Sequence, residues 1–141
     1  MKTILRVSFA LAIAAVAVGC TSDYEFRSDD RPTYDRAISV EELPALQASG
    51  AVVLDVRLLE DFEADPVLIP DAMYKDPDSI QSWAGQMSPT DGPVVVYCVA
   101  GKWVSQKAAT YLSDAGYDVY TLDGGIAAWQ SAGNETSTGA K

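Results

Sequence analysis

An apolar run of four residues, Val94 to Tyr97, is the feature that most restricts how this chain can fold. Every position of VVVY is apolar, as expected of a central strand that helices cover on both faces. A helical pattern follows from Ser105 to Ala115. This strand and helix predict an α/β arrangement in which the run lies at the centre of a mainly parallel sheet.

The same alternation of short β-like runs and helical patterns continues along the chain. Strands are predicted over residues 51–56, 94–97 and 119–122, with shorter ones near 38–40 and 72–74. Helices are predicted over residues 41–48, 58–63, 78–87, 105–115 and 126–131. Gly50 and Gly116 lie where helices should end. A chain of 141 residues, 48% of them hydrophobic, has material for one core. We therefore expect a single α/β domain over residues 37–133, its mainly parallel sheet flanked by helices.

Residues 1–19 have the pattern of a secretory signal peptide. Lys2 and Arg6 precede an acid-free run of apolar and small residues from 7 to 18. This run is shorter than the roughly 20 residues that a membrane-spanning helix needs. We exclude the segment from the fold and expect the protein to be exported.

Cys20 follows Ala17, Val18 and Gly19, and this junction resembles the lipobox of bacterial lipoproteins, which usually has Leu where this chain has Ala17. The resemblance implies that Cys20 is acylated and that Thr21 after it directs the protein to the outer membrane, on the periplasmic side. Several acyl chains would give stable anchoring, so lipid would be the membrane contact. The alternative is a secreted protein cut near Gly19, with Cys20 an incidental thiol.

Charge and composition describe the remaining segments. Residues 20–36 are polar, charged and interrupted by Pro32, which predicts a tether, and residues 134–141 are predicted to be a flexible tail. The net charge of −10 becomes more negative when Lys2 and Arg6 are removed. Nucleic acid is therefore excluded as a partner, since binding it requires a basic surface. One small domain without a coiled-coil pattern predicts a monomer.

Cys98 occupies the position where an open α/β sheet binds ligands, beyond the carboxyl end of a strand. It follows Tyr97 directly and precedes Ser105, a predicted helix N-cap. Residues 99–105 can direct N–H groups at the sulfur, and the helix dipole adds positive potential. Both effects favour a thiolate in a chain that contains no histidine. The alternative is a small buried hydrophobic residue at a strand end.

Five segments, in order over about residues 36–132, resemble the rhodanese homology domain. They are LDVR at 54–57, EDF at 60–62, IPDA at 69–72, the Cys98 loop with its helix through Ala109, and DGGI at 123–126 with Trp129. Asp71 replaces the family's usual Gly, and the preceding Gly-His is absent. The resemblance implies that Cys98 is the nucleophile that carries sulfane sulfur as a persulfide.

The resemblance also implies that the loop after Cys98 binds the substrate. The candidate residues are Val99, Ala100, Gly101, Lys102, Trp103, Val104 and Ser105. Lys102 either attracts an anionic donor such as thiosulfate or is simply solvated. Trp103 forms a wall of the pocket or shields the loop. Gly101 permits a tight turn with positive φ.

Two departures from the family concern this loop. It is one residue longer than usual, as in the family's phosphatase and arsenate-reductase relatives. Those relatives hold a tetrahedral oxyanion with an Arg directly before the Ser, where this chain has Val104. An uncharged residue cannot replace a bidentate guanidinium. Loops of the form C-V-x-G-x-x-V-S, found in a subgroup of rhodanese-like proteins, are closer to this one.

We expect a sulfurtransferase without metal or cofactor, moving sulfur from thiosulfate, a persulfide or a polysulfide to cyanide or a thiol. No second cysteine is available to resolve a persulfide once Cys20 is acylated, so the acceptor must be external. The alternatives are a module that binds a partner protein or oxyanion at the envelope, and arsenate or phosphate-ester chemistry. Asp55 and Arg57 are predicted to form a structural ion pair or cap, with substrate contact as the alternative, and Trp129 is predicted to lie in the core.

Overall fold

The computed structural model of the chain describes residues 24–139. The predicted signal peptide and Cys20 lie outside the described residues. Within them, no helix is both long enough and apolar enough to cross a membrane.

Strands and helices alternate along the described part of the chain. The strands are β1 (Ala37–Ile38), β2 (Val52–Asp55), β3 (Val67–Leu68), β4 (Met73–Tyr74), β5 (Val94–Tyr97), β6 (Val119–Leu122) and β7 (Ser137–Thr138). The α-helices are α1 (Leu43–Ala48), α2 (Leu59–Ala64), α3 (Ile80–Ala84), α4 (Trp103–Asp114) and α5 (Gly125–Ser131), and a 3-10 turn covers Pro77–Ser79.

Five strands form a parallel sheet in the order β1-β6-β5-β2-β4. Strand β5 is central, with Val94 opposite both Val52 and Val119. All four residues of β5 are buried, as the apolar run predicted. The expectation of an α/β fold with a mainly parallel sheet is confirmed.

Alternation along β5 divides the core between the two faces of the sheet. Val94, Val96 and Cys98 join the cluster that includes residues of α3 and α4. Val95 and Tyr97 join the other cluster, which includes residues of α1 and α5. The Cys98 side chain therefore lies on the same face as α4, the helix that follows its loop.

Two predicted strands, 94–97 and 119–122, have the observed bounds, and the third is shorter by a residue at each end. The prediction of one continuous helix over 78–87 is wrong, because a 3-10 turn and the short helix α3 take its place. Asp76 accepts a hydrogen bond from the Asp78 amide at 3.0 Å, which starts the 3-10 turn. Gly85 then ends the short helix α3. The chain thus crosses this face in two short pieces.

The described part of the segment predicted to be a tether, residues 24–36, packs against the domain. Phe26 is 2% exposed, and the Tyr34 hydroxyl donates to the Val119 carbonyl at 2.9 Å. Lys107 of α4 is 2% exposed and its Nζ donates to Ser28 Oγ at 2.6 Å. The polar composition of the segment predicted a tether. In the structure its aromatic side chains pack against the domain, and its polar groups form hydrogen bonds with residues of the domain.

The predicted flexible tail is also partly ordered by the domain. Strand β7 pairs antiparallel with β3, placing Leu68 opposite Ser137. The Trp129 indole N–H donates to the Glu135 carbonyl at 2.7 Å. Pairing with β7 provides hydrogen-bond partners for the backbone groups at the edge of β3. The second contact provides an acceptor for the indole N–H of Trp129, which is 6% exposed. The core position predicted for Trp129 is confirmed.

Candidate active site

Cys98 is a free cysteine at the carboxyl end of the central strand, with 4% of its surface exposed. Its Sγ donates to Ser105 Oγ at 3.3 Å, and the Ser105 hydroxyl donates to the Lys102 carbonyl at 3.2 Å. The Ser105 hydroxyl has a single proton. When the sulfur is ionised, rotation of that hydroxyl would let it donate to the thiolate instead.

Helix α4 begins two residues earlier than the sequence suggested. Lys102 occupies the N-cap position without a side-chain cap, and Ser105 lies in the first turn. Ser105 is therefore not the N-cap, because its hydroxyl is engaged with Cys98 and Lys102. Residues 99–105 donate no backbone hydrogen bond to another backbone group of the described chain. These amides therefore have no backbone partner, and the positive end of a 12-residue helix lies beside them.

The start of helix α5 holds the carbonyl side of the loop. The amide of Ile126 donates to the Cys98 carbonyl, and that of Ala127 donates to the Val99 carbonyl, each at 3.0 Å. Gly125, at φ +60°, passes so close that a β-carbon there would lie 2.7 Å from the Val99 carbonyl oxygen. Helix α5 therefore takes up two of the carbonyl groups that would otherwise face the space near the Cys98 sulfur.

Gly101 has φ +67°, which confirms the positive φ expected for it. A β-carbon at this position would lie 2.8 Å from both the Leu122 carbonyl oxygen and the Gly124 amide nitrogen. Gly101 is therefore required both for the turn and for close packing against the segment that leads into α5.

Replacing Gly125 with alanine should lower the Cys98-dependent activity that the sequence resemblance implies by roughly a hundredfold, since a displacement of about 1 Å at a reactive group has effects of that size. The added methyl group would push α5 away from the loop carbonyls. Gly133→Ala is the matched control, because Gly133 also has positive φ but nothing would lie within 4 Å of a methyl group added there. Steady-state assays of both variants check this, and equal activities would contradict a positioning role for Gly125.

A pocket opens beside the Cys98 sulfur. It is lined by Asp61, Cys98, Val99, Ala100, Lys102, Trp103 and Val104. Five of the seven predicted loop residues therefore line it. Gly101 and Ser105 do not, and their contacts instead support the loop from behind. Val104 is 7% exposed and has no side-chain donor, so the pocket lacks the guanidinium of an oxyanion-binding loop at this position.

Asp61 is a lining residue to which sequence reasoning assigned no role. It lies in the first turn of α2, and its place in the EDF segment was the signal that could have indicated it. The pocket thus presents one carboxylate and, from Lys102, one ammonium group. The two groups should have opposite effects on an anionic substrate.

For an anionic substrate such as the thiosulfate that the sequence resemblance implies, Asp61→Asn is expected to raise kcat/KM about threefold and Lys102→Gln to lower it by a similar factor, as for partly screened charges near a reacting anion. Both effects should shrink as salt concentration rises. Steady-state kinetics at low and high ionic strength measure this. Identical changes in the two variants would show that side-chain shape, and not charge, controls the reaction.

Asp55 and Arg57 form the structural ion pair that the sequence predicted. Asp55 is fully buried and Arg57 is 2% exposed, with Nη2 2.6 Å from Oδ2. Arg57 also donates to the carbonyls of Asp65 at 2.9 Å and Val67 at 2.7 Å. Neither side chain lines the Cys98 pocket. The pair therefore ties the end of β2 to the segment leading into β3.

Tyr97 supports the same region from the central strand. Its hydroxyl accepts a hydrogen bond from the Ile69 amide at 3.2 Å. Burial raises the pKa of the Tyr97 phenol far above its ordinary value, and the neighbouring Asp55 carboxylate acts in the same direction. The phenol is therefore neutral under all ordinary conditions and serves structure. Within the described residues, no group of His, Cys, Asp or Glu side chains could hold a metal ion.

Comparisons with known proteins agree with this architecture. The family model described as Rhodanese-like domain matches residues 39–132. Proteins named thiosulfate sulfurtransferase GlpE are similar over 97 residues in Pseudomonas savastanoi pv. phaseolicola, at 38% identity, and in Pseudomonas syringae pv. syringae, at 39%. Each alignment covers 68% of this chain and 88% of the relative.

A solved structure shows the same fold. The rhodanese-related protein from Thermoplasma volcanium superposes with a TM-score of 0.62 at 22% identity, covering 72% of this chain and 97% of the other. At that identity the likeness supports the fold alone. The family match and the relatives above extend it to membership: this chain belongs to the rhodanese-like domain family.

Proposed function

We propose that the protein is a thiosulfate sulfurtransferase that acts through a persulfide on Cys98. The observation that carries this proposal is the position of the sulfur, which borders a pocket at the start of α4 among unpaired loop amides. The relatives named thiosulfate sulfurtransferase support thiosulfate as the donor.

In the first half-reaction the Cys98 thiolate attacks the outer sulfur of thiosulfate. A new S–S bond forms to Cys98 while the S–S bond of thiosulfate breaks, and sulfite leaves with the electron pair of that bond. The terminal sulfur of the resulting persulfide carries the negative charge. Amides of residues 99–105 and the positive end of α4 would stabilise that charge without a histidine or a metal.

In the second half-reaction a nucleophilic acceptor, cyanide or a thiol, attacks the terminal sulfur. The acceptor gains the sulfur atom, and the electron pair of the breaking bond returns to Cys98 as the thiolate. Cys98 is the one free cysteine in the described residues, so no described cysteine can take up the persulfide. The acceptor therefore enters from outside through the pocket mouth.

We place this activity at the bacterial envelope, with the domain held to the outer membrane on its periplasmic side through an acylated Cys20. The charged start, apolar run and Gly19-Cys20 junction of the sequence support this part of the proposal. Metabolic labelling with a radioactive fatty acid tests it. Label in the wild type that is absent from Cys20→Ser is expected, and an unlabelled wild type would contradict it.

The catalytic proposal is tested by intact mass on the full chain carrying Cys20→Ser, so that Cys98 is the single thiol. Thiosulfate should add about 32 Da, one sulfur atom, and cyanide or a reducing thiol should remove it. A further Cys98→Ser variant should gain nothing.

A thiol that reacts with an alkylating agent but gains no sulfur from thiosulfate, a persulfide or a polysulfide would contradict the proposal. That result would favour a module that binds a partner protein or oxyanion. A binding module should retain its partner in a Cys98→Ala variant, which pulldown from envelope extracts would measure.

A further inference from the structure

We propose that Arg31, delivered by the docked N-terminal segment 24–31, is a specificity-determining residue that favours anionic over neutral reagents at Cys98. The inference rests on the proposed function only in naming thiosulfate as the natural anion. It assigns part of the site to a segment outside the residues that match the family model, which begin at 39.

The first observation is that Arg31 stacks on a residue that lines the Cys98 pocket. Its Cζ is 4.0 Å from the centroid of the Trp103 ring, and Trp103 lines the pocket together with Cys98. A guanidinium over an indole face is held by cation–π attraction. Its charge therefore lies one indole ring from the pocket, near enough to act at ordinary ionic strength.

The second observation is that Arg31 forms no ion pair with a carboxylate in residues 24–139. Of the four arginines in residues 24–139, three form ion pairs with Asp or Glu: Arg27, Arg36 and Arg57. Arg31 donates through Nη1 to the carbonyl oxygens of Ser28 and Asp30. These contacts orient the guanidinium, which forms no ion pair with a carboxylate among residues 24–139, although Asp29 and Asp30 precede it directly in the chain.

The third observation is that segment 24–31 is attached on both sides of the pocket. On the α4 side, Phe26 is 2% exposed, with its ring centroid 6.0 Å from that of Trp103, and Lys107 donates to Ser28 and Asp30. On the other side, Arg27 pairs with Glu60 of α2 at 3.1 Å and with Asp78 at 2.7 Å. The segment thus joins α4, which supplies Trp103, to α2, which supplies Asp61. This attachment fixes where Arg31 lies.

The charge of the pocket explains what Arg31 would contribute. The negative charge of Asp61 counteracts the positive charge of Lys102, and both residues line the pocket. Val104, which also lines the pocket, carries no charge. An anion approaching Cys98 would meet one negative and one positive side chain without Arg31. A third charged side chain, positive and without an ion-pair partner in residues 24–139, would shift the balance toward an anion.

The test compares alkylation of Cys98 by iodoacetate, an anion, and by iodoacetamide, which is neutral and of similar size. Rates are measured by intact mass on the full chain carrying Cys20→Ser. Arg31→Ala should lower the iodoacetate-to-iodoacetamide rate ratio about three- to tenfold, and Arg31→Glu should lower it further. Raising the salt concentration should reduce the difference.

Arg36→Ala is the matched control. Arg36 also stacks on an aromatic ring, with Cζ 4.1 Å from the Tyr120 centroid, but it pairs with Asp118. It precedes β1 and so lies at the amino end of the strands, opposite the Cys98 end. Its variant should leave the ratio unchanged. A ratio in Arg31→Ala within about 1.5-fold of the parent would overturn the proposal, as would an equal fall in Arg36→Ala.

Phe26→Ala tests the role of the segment without changing any charge. Loss of this buried anchor should free the segment and lower the ratio as Arg31→Ala does, and an unchanged ratio would contradict delivery of Arg31 by docking. Alkylation does not require sulfur transfer. A parent protein that shows the charge dependence but forms no persulfide would refute the proposed function and leave the assignment of Arg31 intact.

Discussion

Cys98→Ser should reduce sulfur transfer from thiosulfate by at least about a thousandfold, the scale on which removal of a catalytic nucleophile acts. A serine hydroxyl cannot accept a sulfane sulfur to form a persulfide, and the loop would still be intact around it. Cys98 is 4% exposed and serine is close to it in size, so the thermal midpoint should change little. Continuous sulfite release measures the activity, and calorimetry measures the fold.

Ser105→Ala is the comparison that separates the nucleophile from its support. It retains the thiol but removes the hydroxyl that lies 3.3 Å from the sulfur. Loss of one hydrogen bond to a charged group should lower the rate only about tenfold to a hundredfold. If Cys98→Ser were no slower than Ser105→Ala, the sulfur would not be the group that carries the reaction.

Arg57→Met should lower the free energy of unfolding by about 3–5 kcal/mol, because it leaves the Asp55 carboxylate buried without its partner. Three backbone and side-chain acceptors lose their donor together: Asp55, Asp65 and Val67. Urea unfolding followed by fluorescence gives the change. Arg57 lies outside the pocket, so the folded fraction should retain its reactivity toward iodoacetamide.

Two further variants test the reason for that loss. Arg36→Met removes the exposed ion pair with Asp118 and should cost about 0–1 kcal/mol. The double variant Asp55→Leu with Arg57→Met should be more stable than Arg57→Met alone, since it removes the unpaired charge. The single variant Asp55→Leu completes the comparison. If the double variant lost as much free energy of unfolding as the two single variants added together, packing and not the buried charge would dominate.

The central sheet could be predicted because its signal is local. A short run rich in β-branched residues, such as 94–97, favours a strand buried on both faces, and its observed bounds are those predicted. Short elements were less predictable. Strand β3 and strand β7 have two residues each and pair across about 70 positions, so no local pattern marks them.

Asp71 is a non-glycine residue in a backbone conformation that usually requires glycine. It stands where the family has Gly and adopts φ +62°, in a turn closed by the Ala72 amide donating to the Ile69 carbonyl at 3.0 Å. Asp is among the residues that tolerate the left-handed region. Asp71 therefore adopts a backbone conformation that favours glycine.

The fold class, the strand that ends at Cys98, the loop that follows it and the pairing of Asp55 with Arg57 could be inferred from the sequence, because each depends on neighbouring residues. The folded chain was needed to show that α5 holds the loop carbonyls, that Asp61 lines the same pocket as Lys102, and that residues 24–31 dock with Arg31 on Trp103. Those contacts join residues far apart in the chain. Their free energy comes from burying Phe26 and pairing charges across elements, which composition within a short window does not encode.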